Sequence, residues 1–288
     1  MSGEEIPKVI GEYTIMRPVA RGVMGTVYVA TTAGNVFHAV KVLDPKVAEK
    51  LPWATRFRGE IKDKHILDYK AIDITTGDRT YFVSEYLEVK PIARHRLAGV
   101  RSGALLEIVA ELAESLQKVH DAGLAHGNIK TSNVLVRMVE GPPQVYISDF
   151  GIGYVYDPDV FTQDKVGKTF PYMSPERIKL MLARARGKDA LPTPAMDIYS
   201  LGVTLCEILT GSVAYSDVDT PEMILEKKRK RQYLVVGMNT PIKRIDLARL
   251  NDVVAKSTSF EPKDRFRTMK EFAEALRSCI LEKEGVPH

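Results

Sequence analysis

Apolar and polar positions alternate along residues 13–47. The runs "YTIMRPVA", "GTVYVATTA" and "NVFHAVKVL" carry β-branched and aromatic residues, with Gly, Ala-Arg-Gly or Ala-Gly-Asn between them. That pattern predicts three antiparallel strands. A helical stretch is expected over 48–61, then two more strands in "LDYKAIDITTGDRTYFVSEYL" around the turn "TTGD". The period changes near residue 88. In "SGALLEIVAELAESLQKVH", Leu105, Val109, Leu112, Leu116 and Val119 recur at helical spacing, with Ser102 as the expected N-cap. "NVLVR" and "QVYISDF" read as short strands. "PAMDIYSLGVTLCEILTG" is apolar on most faces, so it predicts a central helix closed by Gly211. "IDLARLNDVVAKSTS" and "TMKEFAEALRSCIL" add amphipathic helices. The expected architecture is α+β and bilobal, joined near residues 85–89. The boundaries read as 1–12 for an N-terminal extension, 13–87 for a β-rich lobe, 88–283 for a mainly helical lobe and 284–288 for a tail.

Composition narrows the partners. The chain has 288 residues, enough to bury a large core in one domain or two lobes. Net charge is +4, from 41 basic and 37 acidic residues, too mild to imply nucleic acid by itself. Cys206 and Cys279 form neither a C-x-x-C nor a metal spacing, which fits a reducing compartment. "MSGEEIPKVI" is unlike a signal peptide, and the apolar run near "SLGVTLCEIL" is far shorter than the roughly 18–20 residues that span a bilayer. A cytoplasmic location without a membrane segment is expected. The basic run "EKKRKR" at 226–231 has two readings, an anionic or nuclear-import contact and a solvated helix end. The second is the commoner use of such a run.

Seven short motifs bring chemistry. "VARGVMGTVYVA" places Gly22 and Gly25 in a hairpin, where backbone amides can approach phosphate. "HAVK" puts Lys41 in the next strand. "HGNIKTSNVL" carries Asn128, Lys130 and Asn133, and "SDFG" carries Asp149. "YMSPE", "DIYSLG" and "EPKDRFRT" supply Glu176, Asp197 and Arg265. Their order and spacing resemble the protein kinase superfamily, with bacterial serine/threonine kinases as the nearest style. The degenerate loop also looks like that of pseudokinases.

The resemblance implies an adenine pocket lined by Val19, Val27, Ala39 and Leu135, with backbone groups near Glu85 and Leu87 reading the base edge. Ser84 matches a small residue gating a back pocket. Lys41 would pair with the α and β phosphates, Lys130 would contact the γ phosphate, and Asn133 and Asp149 would hold Mg²⁺. Glu176 and Arg265 would form a buried ion pair, and Asp197 would sit on the central helix.

Three departures matter. Asn128 stands where an active kinase has its aspartate base, and an amide cannot accept a proton comparably. Gly127 replaces the arginine that grips a phosphorylated activation segment, although Thr162 and Thr169 remain. Thr169 reads as structural before regulatory. No acid lies near Ala54, where the lysine's helix glutamate is expected. Glu49 or Glu60 could serve, or Lys41 could pair with Asp149 instead. Three readings follow: a pseudokinase that binds ATP with Mg²⁺ and acts on an unidentified protein partner, a working or weakly working serine/threonine kinase, and a scaffold without nucleotide.

Overall fold

The computed structural model describes residues 8–22, 25–45, 61–67, 69–73, 80–92, 97, 100–150, 169–184, 191–215, 220–230, 235–237 and 244–281. The helix expected over 48–61, with Glu49, Ala54 and Glu60, falls almost wholly outside these residues, as do the "TTGD" turn and Thr162.

Among the described residues, six strands form the first lobe: β1 (Val9–Ile10), β2 (Tyr13–Gly22), β3 (Gly25–Thr31), β4 (Phe37–Leu43), β5 (Tyr69–Asp73) and β6 (Tyr81–Glu85). They pair antiparallel in the order β1-β2-β3-β4-β6-β5. The sheet reaches back beyond Tyr13, because Val9 and Ile10 pair with Thr14 and Tyr13. Side chains alternate between the two faces of a strand. Val40, Tyr81 and Val83 therefore join Ile10, Tyr13 and Ala30 in a small outer cluster. Leu43 and Phe82 belong instead to the large core beneath. Ala39 and Lys41 pair with Ser84 and Phe82 across β4 and β6, so all four share one face. Gly25 is sterically required: with φ +137°, a Cβ there would lie 1.9 Å from the Val42 carbonyl oxygen.

The second lobe is built on helices α1 (Ser102–Asp121), α2 (Pro175–Leu182), α3 (Pro194–Thr210), α4 (Pro221–Lys230), α5 (Leu247–Ser257) and α6 (Met269–Arg277). A second sheet, β7 (Lys90–Pro91), β8 (Val134–Arg137) and β9 (Gln144–Ile147), lies at its top. Leu105, Val109, Leu112, Leu116 and Val119 of α1 are all buried, as their spacing predicts. The N-cap differs from expectation. Arg101 takes that position in extended conformation, and Ser102 is buried in the first turn. Helix α3 is buried along most of its length and ends at Gly211 with φ 76°. Among the described residues, no helix is long and apolar enough to cross a membrane.

The basic run needs a correction. Lys228 on α4 is buried at 2% exposure, with Nζ donating to the Pro171 carbonyl at 2.6 Å and to Tyr199 Oη at 3.2 Å. Its neighbours Arg229 and Lys230 are exposed and lean on Glu226. Helical rotation turns Lys228 inward while Arg229 and Lys230 stay in water.

Candidate functional site

The two lobes meet at a cleft. Val27 pairs with Lys41 across β3 and β4, and Leu135 pairs with Tyr146 and Pro91 below. Val27, Ala39 and Leu135 are only partly covered and Val19 is exposed. The main core thus leaves an apolar edge open above β8. At the connection between lobes, Glu85 ends β6 in solvent, and the Leu87 carbonyl already accepts from the Val89 amide at 2.8 Å. Ser84 is buried.

Lys41 Nζ lies 2.5 Å from Asp149 Oδ1, which gives this lysine a partner that sequence spacing left open. Asp149 has φ 66°, a left-handed conformation unusual for a side chain larger than glycine. Burial pushes its carboxyl up. The charge and hydrogen bond of Lys41, with help from His126 and Lys130, outweigh that and hold it below the usual carboxylate range.

The loop from His126 to Asn133 is fixed largely through its backbone. Asp197, fully buried on α3, accepts from the His126 amide at 2.7 Å and the Gly127 amide at 2.8 Å, with His120 Nε2 at 2.9 Å. A carboxylate that accepts from the loop in this way sets its path without contributing a reactive group. Gly127 has φ 74°, readily adopted by glycine. The ring of His126 is wholly buried, and burial pushes it down toward the neutral form. Its Nε2 faces the Ser148 carbonyl at 2.9 Å and must donate, while Nδ1 accepts from the Asn128 amide at 3.1 Å.

Asn133 Nδ2 donates to the Asn128 carbonyl at 2.8 Å, and the Asn133 carbonyl accepts from the Ser148 amide at 2.9 Å. This stitch sets Asn133 beside the residue preceding Asp149. With its amide nitrogen engaged, Asn133 presents an oxygen. The pair offers the hard donors that a magnesium ion prefers, so the residues fit such an ion. Lys130 Nζ reaches Thr169 Oγ1 at 3.0 Å, and burial pushes this lysine down. Gly127, Asn128, Thr169, Tyr172, Arg177 and Ser200 are among the residues that line a small cavity at the mouth of the loop.

The segment below the loop is anchored residue by residue. Ser200 Oγ donates to the Tyr172 carbonyl at 2.8 Å. Glu207 accepts from Tyr172 Oη and, at 3.0 Å, from Thr131 Oγ1. Ser174 caps α2 through the Arg177 amide. Arg265 and Glu176 meet end to end with two contacts of 2.7 Å. Arg265 also donates to Ser259, Ala195 and Phe260 carbonyls, which satisfies its buried fork. The Glu176 side chain is 21% exposed against 0% for Arg265, so the pair is sealed from one side.

Sequence reading missed Lys228, Thr131 and Glu207. Each is an ordinary polar letter on a helix or loop, and only its neighbours in space distinguish it.

Comparison with known proteins agrees with this geometry. A family model described as protein kinase domain matches residues 13–283. Serine/threonine-protein kinase Pkn1 of Myxococcus xanthus is 25% identical over 283 residues, covering 94% of this chain and 39% of that protein. Serine/threonine-protein kinase PknF of Mycobacterium tuberculosis is 28% identical over 279 residues, covering 92% and 55%. This chain therefore spans 39% and 55% of the length of these two relatives. A crystal structure of a mutant Mycobacterium tuberculosis PknI kinase domain superposes with a TM-score of 0.65 at 23% identity, over 96% of this chain and 99% of that one. At that identity the likeness concerns the fold.

Proposed function

The chain belongs to the protein kinase domain family, and from that premise we propose that it binds ATP with Mg²⁺ in the cleft and transfers phosphate slowly to a protein hydroxyl. One observation carries the reading. Lys41, Lys130, Asn133 and Asp149 stand assembled around the cleft, while Asn128 supplies an amide where a carboxylate base belongs. The relatives named as serine/threonine kinases favour transfer over a wholly silent site.

Bound ATP with Mg²⁺ supplies the transferable phosphoryl group and neutralises part of its charge. Val19, Val27, Ala39 and Leu135 would cover the adenine, and backbone near Glu85 and Leu87 would read its edge. Lys41 would hold the α and β phosphates, and Asn133 and Asp149 would hold the metal. Lys130 would serve the γ phosphate. Asn128 orients the incoming hydroxyl through its amide and takes no proton. Kinase catalysis rests mostly on positioning and electrostatics, so rate falls without vanishing. Loss of a general base costs on the order of 10² to 10⁴ in rate.

A second reading keeps nucleotide binding and drops transfer, so that the domain acts by holding a protein partner. Asn128 and Gly127 together favour it, because one removes the base and the other the grip on a phosphorylated segment. A scaffold without nucleotide is disfavoured by the ordered Lys41, Asn133 and Asp149.

Melting in the presence of ATP and Mg²⁺ tests the nucleotide. A saturating ligand stabilises the folded state by mass action, so the melting temperature should rise by a few degrees. Lys41→Ala and Asp149→Asn should each shrink that rise. No shift at millimolar nucleotide would reject both nucleotide readings. Wild-type turnover that is lost in Asp149→Asn would reject partner binding as the sole role.

A further inference from the structure

Away from the cleft, residues 61–67 are docked on the large lobe by acid–base contacts. Asp63 accepts from Ser115 Oγ at 2.6 Å, from Lys118 Nζ at 2.6 Å and from the His65 amide at 2.9 Å. The His65 ring, 8% exposed, has an acceptor at each nitrogen. Nδ1 lies 2.7 Å from the Val145 carbonyl oxygen on β9, and Nε2 lies 2.8 Å from Glu111 Oε2 on α1.

A carbonyl oxygen only accepts, and so does an ionised carboxylate. A neutral imidazole carries a single N–H and satisfies one of these contacts. The second contact therefore needs another proton on the ring or on Glu111. The same Glu111 Oε2 also accepts from Lys64 Nζ at 3.0 Å, so it faces two nitrogens as an ionised acceptor does. The proton then belongs to the ring.

We propose that His65 is an imidazolium clamped between Val145 and Glu111, forming a pH-gated staple between the segment ahead of β5 and the α1–β9 face. Among the described residues, further charges stand beside the staple. Asp63 and Lys64 come from its own segment. Lys64 Nζ is 3.0 Å from Glu111 but 70% exposed, so water screens it. From α1 come Glu114, which Arg277 of α6 holds, and Lys118, which Asp63 holds. From β9 the contact is a backbone carbonyl. The seam that the staple closes includes the Ile147 amide donating to the His65 carbonyl at 2.6 Å and the Leu67 amide donating to the Ile147 carbonyl at 3.1 Å. Ile147 stands two residues before Asp149, so the staple braces the strand that leads into the cleft. Loss of the extra proton as pH rises leaves one buried acceptor without a donor and loosens this seam.

Glu111→Gln separates the proton from the packing. The glutamine amide donates to the Nε2 lone pair of a neutral ring while Nδ1–H keeps Val145, so the staple closes without an added proton. Amide hydrogen exchange at Leu67 and Ile147, corrected for intrinsic chemistry, should show wild-type protection falling about tenfold from pH 6 to pH 8. Protection in Glu111→Gln should stay within about twofold over the same range. Ring nitrogen-15 shifts at pH 6 should show two N–H groups on His65 in the wild type and one in Glu111→Gln. The wild-type spectrum needs no variant, and the outcome does not depend on phosphate transfer. An equal pH response in both proteins, or a single N–H on the wild-type ring throughout, overturns the proposal.

Discussion

Asn128 is held by its backbone on both sides, through His126 at its amide and Asn133 at its carbonyl. An aspartate has the same shape, so Asn128→Asp changes charge and basicity without rebuilding the loop. We expect Asn128→Asp to raise phosphotransfer at least about tenfold, within the range a general base contributes. Radiolabelled ATP with mapped sites measures this, and adding Asp149→Asn should abolish the gain. A silent Asn128→Asp protein that still binds ATP points to Lys41, paired with Asp149 at the start of the cycle. Lys228 makes a separate prediction. Burial holds its amine well below the ordinary lysine value, between the rings of Tyr199 and Tyr215. The unfolded chain then binds more protons between the lowered folded value and about 10.4, so stability rises with pH across that window. Lys228→Met should flatten the rise, which is bounded at about 1.4 kcal/mol per pH unit. Chemical denaturation from pH 7 to 10 decides it, and parallel curves for the two proteins would refute it.

At the scale of elements, α3 is the part on which the site is assembled. From one end to the other it presents Asp197 to the loop from His126 to Asn133, Ser200 to the lower segment and Glu207 to both. Such a helix tolerates little movement. Gly202 lets it lie directly against the end of α5, where an added Cβ would sit 2.4 Å from Ser257 Oγ and 2.9 Å from Thr258 Cγ2. Gly202→Ala should therefore destabilise by about 1–3 kcal/mol, despite alanine's better helix propensity. Adding Ser257→Ala should recover part of the loss, because it removes the nearest atom. Urea unfolding of the single and double variants measures both. An unaffected Gly202→Ala protein would mean that α3 and α5 slide apart freely.

On the scale of the whole molecule, the lobes are joined through ionised acids. Asp63 and Asp149 both link residues far apart in the chain, and their carboxyls are depressed in the folded state. For each, burial acts upward and is outweighed, at Asp63 by hydrogen bonds from Lys118, Ser115 and the His65 amide and at Asp149 by Lys41. A depressed folded value gives stability that is complete above the unfolded value of about 3.9 and is lost as pH falls through the folded one. Acid should thus loosen the junction as pH falls below about 3.9. Asp63→Asn should shrink the fall in melting temperature between pH 5 and pH 2 by a few degrees. A variant with the wild-type acid response would place the sensitive carboxylates elsewhere.

Sequence determined what depends on local order. Period-2 alternation specified strands, 3.6-residue spacing specified α1 and α3, and the motif order specified the family. It also fixed Asn128 and Gly127 as departures, since a missing carboxylate or guanidinium is a property of the letter itself. Tertiary structure decided the pairings. Whether Lys41 turns to a helix acid or to Asp149 depends on where the fold places residues 108 positions apart. Lys228 is solvated in a charge run and buried on a helix, and only the rotation of α4 against Pro171 chooses. His65 carries one proton or two according to what faces each nitrogen, and those acceptors lie 46 and 80 positions away. Electrostatics in a folded protein is set by distance and desolvation, and neither is written in the order of residues.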